Sequence, residues 1–145
     1  MNREPGECYS IAFSSVATVD FSEAALLQLL KQACSLHEQA GLTGVLMYGN
    51  GRFMQVMEGC PAAVRSVYAR IATDPRHGRL EKLADGPVAR REFTGWRMSF
   101  APPPANFWLL PGYLTPPQLV VASAGTTAQP LLSEFMTSCF EMMAC

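Results

Sequence analysis

Along the chain, apolar positions switch between a two-residue and a three-to-four-residue period, and the switches mark out elements. The run from Tyr9 to Val16 (YSIAFSSV) is short and apolar and ends in small polar residues ahead of Asp20, which predicts a first strand. A helix follows. Asp20 or Ser22 caps it, Glu23 lies in its first turn, and Leu26, Leu29, Leu30, Ala33 and His37 recur at helical steps until Gly41 closes it. His37 is thus expected on the buried stripe.

Two β-rich runs come next, Thr43 to Tyr48 and Arg52 to Met57, separated by Gly49, Asn50 and Gly51. An Asn-Gly pair supplies the positive φ angles of a tight hairpin. Alternation in the second run puts Phe53, Gln55 and Met57 on one face and Met54, Val56 and Glu58 on the other. Gln55 is a lone amide in an apolar row and needs a hydrogen-bond partner. Pro61 opens a second helix carrying Val64, Val67, Tyr68 and Ile71, which Asp74-Pro75 stops, because a residue before proline is pushed out of the helical region. Two more strands are expected, around Arg79 to Ala84 and Trp96 to Phe100, the latter with Trp96, Met98 and Phe100 on one side. The order β-α-β-β-α-β-β predicts an α+β, ferredoxin-like fold with two helices on one face of a mixed sheet.

Beyond Phe100, Ala101-Pro-Pro-Pro-Ala is a stiff spacer, and Phe107, Trp108, Leu109, Leu110, Pro111 and Tyr113 are too apolar for a free linker, so they are expected on the sheet. Thr115, Pro116 and Gln118 form a capping box. From Leu131 the residues Leu132, Phe135, Met136, Cys139 and Met143 make an amphipathic helix, whose stripe covers either the open sheet face or a second subunit. The chain therefore divides into a domain over 8–100 and a Pro-rich spacer with a helical extension over 101–145.

Composition narrows the function. Of the 145 residues 49% are hydrophobic and 16% charged, too apolar for a disordered chain and suggestive of surface covered by a partner copy or by the C-terminal tail. A net charge of -1 with scattered Lys and Arg argues against a nucleic-acid partner. The opening MNREPGECYS lacks a signal-peptide core and no long apolar run follows, so no membrane contact and a cytoplasmic location are expected. Cys8, Cys34, Cys60, Cys139 and Cys145 contain no CxxC pair, which supports neither a disulfide framework nor a zinc site. Buried reduced thiols are the expectation.

Four motifs in order, Leu42-Thr43-Gly44, Gly51-Arg-Phe-Met-Gln55-Val-Met-Glu58-Gly59, Asp74-Pro75-Arg76-His77 and Arg91-Glu-Phe93-Thr-Gly-Trp96-Arg-Met98, together resemble the BLUF family of flavin-based blue-light sensors. The resemblance covers about Tyr9 to Phe100. It implies FAD between the two helices, with the edge of its isoalloxazine ring toward the sheet. It also implies a light step in which a strand-one tyrosine gives an electron and a proton to the flavin and the strand-three glutamine, Gln55 here, rearranges. An amide suits that role because it swaps donors and acceptors without placing a charge in a buried pocket. Arg76 and His77 match positions at the outer edge of the flavin site, although a solvated helix end suits them equally. Trp96 and Met98 match strand-five positions that relay the signal toward the C-terminal helices, or form an ordinary core stripe.

This sequence departs from the family pattern at two places. The strand-one motif of tyrosine, any residue, serine, any residue, alanine falls on Phe13, Ser14, Ser15, Val16 and Ala17. Phenylalanine has no phenol to oxidise and no proton to give. Tyr9 lies four residues earlier, about 13 Å along a strand, and does not substitute. A pair of asparagines ahead of the Thr-Gly is replaced by Leu36 and His37. Imidazole carries its two nitrogens on divergent vectors, so His37 makes one bond to a flavin ring where a carboxamide makes two, unless it is simply a core histidine.

The resemblance thus places Phe13, Ser15, His37, Gln55, Arg76, His77 and Met98 around FAD and assigns Gln55, Trp96 and Met98 to the relay, in a sensor with an impaired photocycle and weakened flavin binding. Signalling then runs through protein contacts, with a homo-oligomer and a downstream protein as partners. The alternative is a flavin-free interaction module, which the Met-rich tail (Met136, Met142, Met143) would suit. No enzymatic constellation is present: Ser/His/Asp order, P-loop, dinucleotide fingerprint and paired carboxylates are all missing from the sequence.

Overall fold

β1 (Cys8–Ala17) is paired on both sides, antiparallel to β3 (Arg52–Gly59) and antiparallel to β4 (His77–Val88). β2 (Thr43–Gly49) forms the expected hairpin with β3, turning through Asn50 and Gly51 at φ 53° and 73°. β5 (Trp96–Ala101) adds to β2 in parallel, giving the order β4-β1-β3-β2-β5. This α+β, ferredoxin-like arrangement is the one predicted. The computed structural model describes residues 8–101, 110 and 112–140.

α1 (Glu23–Gln39) is capped by Ser22 rather than Asp20, the Ser22 hydroxyl accepting from the Ala25 N–H at 3.1 Å. The chain then leaves the helix through Gly41 at φ 71°. α2 (Pro61–Ala72) ends ahead of the Asp74-Pro75 stop, where the Thr73 hydroxyl donates to the Arg70 carbonyl at 2.8 Å. Arg76 and His77 therefore belong to the turn after α2 and to the first residue of β4, not to a helix end. β4 is longer than its sequence signal and begins at His77.

The sheet buries both faces. On one, Ile11, Phe13, Leu46, Phe53, Met57, Met98 and Phe100 pack with Leu26 and Leu30 of α1 and Val64 and Val67 of α2. On the other, Ala12, Val45, Met47, Met54 and Val56 pack with residues of α3 (Pro116–Ser123) and α4 (Gln129–Cys139), among them Leu119, Leu132, Phe135, Met136 and Cys139. The predicted alternation in β3 holds on both faces. The C-terminal stripe covers its own sheet, and α4 starts at Gln129, ahead of Leu131. The capping box of α3 is complete, Thr115 and Gln118 each accepting from the other's backbone N–H.

Two glycines permit close backbone approaches. A Cβ on Gly44 would lie 1.9 Å from the Val56 carbonyl oxygen, and one on Gly112 would lie 2.1 Å from that of Trp96. Only a residue without Cβ fits either place. The spacer prolines, Phe107, Trp108, Leu109, Pro111, Met142, Met143 and Cys145 lie outside the described residues. Among the described residues no helix is long and apolar enough to cross a membrane.

Candidate functional site

α1 and the end of α2 do not close completely over the sheet. Between them lies a cavity of about 740 Å³, floored by Leu46 of β2 and by Phe53 and Gln55 of β3. One wall is α1 (Leu29, Gln32, Ala33, Leu36, His37), and the other is the end of α2 with the turn beyond it (Arg70, Ile71, Asp74, Arg76, His77). The volume falls in the range of small-molecule sites, roughly 300–1,000 Å³.

Gln55 is 6% exposed and faces this cavity, as alternation along β3 requires. Its Oε1 has no hydrogen-bond partner among the described residues. Phe13 is its cross-strand partner on β1 and Leu46 its partner on β2, and Leu46 in turn faces Met98 on β5. A single row thus crosses four strands with the amide in its middle. Phe13 is fully buried and sealed by Tyr68 of α2, edge-on at 5.1 Å between ring centres. Tyr9 pairs with Gly59, far from Gln55. Its hydroxyl donates to Asp85, and the Arg65 guanidinium lies 4.4 Å above its ring.

His37 is fully buried. Nδ1 is 2.7 Å from the Ala33 carbonyl, and the ring stacks on Trp96 at 3.6 Å between centres with 18° between planes. Among the described residues Nε2 has no partner, nor has the indole Nε1 of Trp96. Burial pushes the imidazole pKa down to about 4, against a smaller upward effect of the Ala33 bond, so the ring is neutral near pH 7.

The cationic rim is occupied by protein groups. Arg76 donates to the Asp74 carboxylate from Nε and Nη2, the shorter contact 2.6 Å, and to Gln32 from Nη1 at 3.2 Å. The guanidinium bonds hold the Asp74 carboxyl below its usual range. His77 bridges two elements, with Nδ1 2.7 Å from the Ser15 hydroxyl and Nε2 2.8 Å from the Ile71 carbonyl. Because a carbonyl only accepts, Nε2 carries a proton and donates it to Ile71.

Of the residues singled out from sequence, His37, Gln55, Arg76 and His77 line the cavity. Phe13, Ser15, Trp96 and Met98 sit behind its walls. Sequence reasoning missed Phe53, Leu46, Gln32, Asp74 and Arg70 as lining groups, although β3 alternation already put Phe53 beside Gln55. It also missed the role of Glu58. This carboxylate, 2% exposed, accepts from the Thr43 hydroxyl and from the N–H groups of Glu92 and Phe93, pinning the loop between β4 and β5 to the sheet.

A family model described as BLUF, sensors of blue-light using FAD, matches residues 8–99. The chain belongs to the BLUF family. Among relatives of this BLUF chain, the photoactivated adenylate cyclase subunit beta of Euglena gracilis is 36% identical over 73 residues, half of this chain but 8% of that protein. The blue light- and temperature-regulated antirepressor BluF of Escherichia coli strain K12 is 39% identical over 54 residues, covering 37% of this chain and 13% of the antirepressor. A structure of Klebsiella pneumoniae BlrP1 with FMN and cyclic diGMP superposes with a TM-score of 0.57 at 30% identity over 64% of this chain and 25% of that one. BlrB, a BLUF protein in its dark state, matches 92% of this chain and 98% of its own with a TM-score of 0.62, at 20% identity. That last likeness concerns the fold alone. The chain spans only a small part of the cyclase subunit and of the antirepressor.

Proposed function

We propose that this BLUF chain binds a flavin, FAD, in the cavity between α1 and α2, and acts as a light-sensing module that signals through protein contacts. The observation that carries the reading is a pair of buried atoms in residues that line the cavity, Gln55 Oε1 and His37 Nε2, which no group among the described residues satisfies. A buried polar atom left unpaired costs about 1–3 kcal/mol, so a site with two of them is built for a ligand that supplies partners. The apolar floor residues Leu46 and Phe53 suit an aromatic ring, and Arg70 and Arg76 at the rim suit phosphate. The family description names FAD, and BlrP1 has been seen with FMN.

Bound flavin would supply the light absorption and the electron acceptor. Within the protein, Gln55 and His37 orient the ring, Phe53 and Leu36 exclude water from it, and His77 ties β1 to the turn after α2 through Ser15 and Ile71. The residue across from Gln55 is Phe13, which cannot lose a proton, so the resting flavin band is expected and the family's light response is not. Met98 and Trp96 lie on β5, whose backbone is bonded to the segment entering α3, a route for signals into the 101–145 extension. A second copy of the chain and a downstream protein are the proposed partners, with no chemistry in the module itself, in the cytoplasm.

An absorption spectrum of freshly purified protein tests the reading. A yellow sample with the oxidised flavin band, or one that acquires it on adding FAD, supports it. A colourless sample that FAD does not reconstitute turns the reading to a flavin-free interaction module. That second reading is favoured by one observation, that Arg76 and His77 are already engaged by protein groups, Arg76 by Asp74 and Gln32 and His77 by Ser15 and Ile71.

A further inference from the structure

The extension that follows β5 is marked off from the rest of the chain by its charge. All 11 Lys and Arg residues lie at or before Arg97, and beyond it the only acidic residues are Glu134 and Glu141. α3 carries no charged residue at all. Soluble surfaces normally hold charged residues of both signs on about 25–35% of their positions. A layer of helices without cations is therefore a departure that contact with water does not explain.

α3 also turns an apolar side outward. Leu119 and Ser123, one turn apart, are its buried residues, so the opposite stripe of Pro117, Val121 and Ala124 faces away from the sheet. Val121 is 76% exposed and Val120 beside it 43%. Val19 and Leu83 are exposed too, but each stands alone next to a charged neighbour, Asp20 and Lys82. The amide side chains of this region are engaged locally, Gln118 Oε1 accepting from the Thr115 N–H and Gln129 Oε1 from the Gly125 N–H.

Resting on the reading above that a second copy of the chain is a partner, we infer that the side of α3 carrying Val120 and Val121 is the contact between two copies related by a two-fold axis. In such a contact a residue near the axis meets its own twin, so a charge there faces a like charge. A surface stripped of both signs is what self-association requires. A strongly charged partner would find no counter-charge here and would lose its hydration without return. Ala124 and Gly125, both exposed, add little bulk at the end of the helix and let the two copies of α3 approach closely. Because the Leu114 N–H at the root of α3 donates to the Met98 carbonyl of β5, the contact joins the two sheets through their C-terminal helices.

Sedimentation velocity on the full chain in reducing buffer tests this. The parent is expected at twice 15.8 kDa, dissociating on dilution. Val121→Glu and Val121→Lys are each expected to sediment as single chains, with self-affinity roughly a hundredfold weaker, the effect of like charges set against each other. An equimolar mixture of the two variants is expected to regain the double mass, because each glutamate then meets a lysine. That rescue is specific to a chain meeting its own copy at this residue. Leu83→Glu, at an exposed apolar position on β4, is expected to leave the mass unchanged.

A parent that sediments as one chain at every concentration overturns this inference together with the second-copy reading, and leaves flavin binding to its own absorption test. A dimer untouched by either Val121 change, or lost equally with Leu83→Glu, keeps the second-copy reading and overturns the assignment to α3. Two monomeric variants that do not recombine overturn it as well, since Val121 then does not meet its twin. Circular dichroism reports whether the variants fold. Collapse of the fold on either substitution means that Val121 is packed within its own chain, and also overturns the inference.

Discussion

On one face of the sheet α3 and α4 bury Leu119 and Leu132 completely against Val45 and Met47, whereas on the other α1 and α2 leave a cavity edged by unsatisfied nitrogen and oxygen atoms. Both faces come from the same five strands, and neighbouring residues serve opposite sides: Met54 and Val56 point to the C-terminal helices, Gln55 between them to the cavity. The contrast teaches what a period-two pattern does. It divides one strand between a face finished by side-chain packing and a face whose polar atoms still lack partners. Stability should be concentrated on the first and ligand response on the second.

Leu132→Ala attacks the packed face and is expected to have the largest effect, a loss of roughly 2–5 kcal/mol in urea unfolding, with flavin affinity of the folded fraction unchanged. An equal loss of affinity would show that the two faces are coupled.

Acid attacks the cavity face through His37. Its folded pKa of about 4 lies below the unfolded 6.5, so the unfolded chain binds the proton first as pH falls. Stability is therefore full above about pH 6.5 and declines through that window toward pH 4, by roughly 3 kcal/mol in total for this group. His37→Asn should flatten that part of the stability profile, measured as urea midpoints across the same pH values. A slope unchanged by the substitution would exclude His37 as its source.

Gln55→Leu is milder in stability and sharper in function. Replacing the unpaired amide by an apolar group of similar size is expected to alter unfolding by less than about 1 kcal/mol, since no protein bond to its Oε1 is lost. The resting flavin spectrum should shift. A destabilised protein with an unaltered spectrum would mean the amide is structural.

Phe13→Tyr is the finest probe. The added hydroxyl arises across the ladder from Gln55, whose unpartnered oxygen can accept from it, so stability should stay within about 1 kcal/mol of the parent. A light-induced red shift of the flavin band should appear, at least in combination with His37→Asn. Absence of any light response in both variants would place the photochemical position elsewhere than residue 13.

Much of this contrast was legible in the sequence, and the illegible parts share a cause. The two helices, the hairpin and the inward aim of Gln55 follow from local periodicity and from Asn50-Gly51. β4 resisted because it is an edge strand with most residues exposed, carries Asp85-Gly86-Pro87, and is held by β1 through a ladder that slips at Ala12/Phe13 and again at Ser14/Val16. No alternation marks such a strand. In the site, residue types were readable but their engagements were not. Ser15 and His77 are 62 positions apart, and Gln32 and Arg76 are 44 apart, so nothing local announces that these groups satisfy one another. The orphan state of His37 Nε2 and Gln55 Oε1 is likewise a property of the assembled cavity.

The outer edge of β5 carries a further consequence. Met98 uses its backbone N–H to donate to Gly112 and its carbonyl to accept from Leu114, immediately before the Thr115 cap of α3. That stitching occupies the backbone groups in the middle of this edge, which another chain's strand would otherwise pair with. It also makes a gearing: any sliding of β5 along β2 must drag the root of α3 with it. Protection of the Met98 and Leu114 amides from deuterium should accordingly rise and fall together.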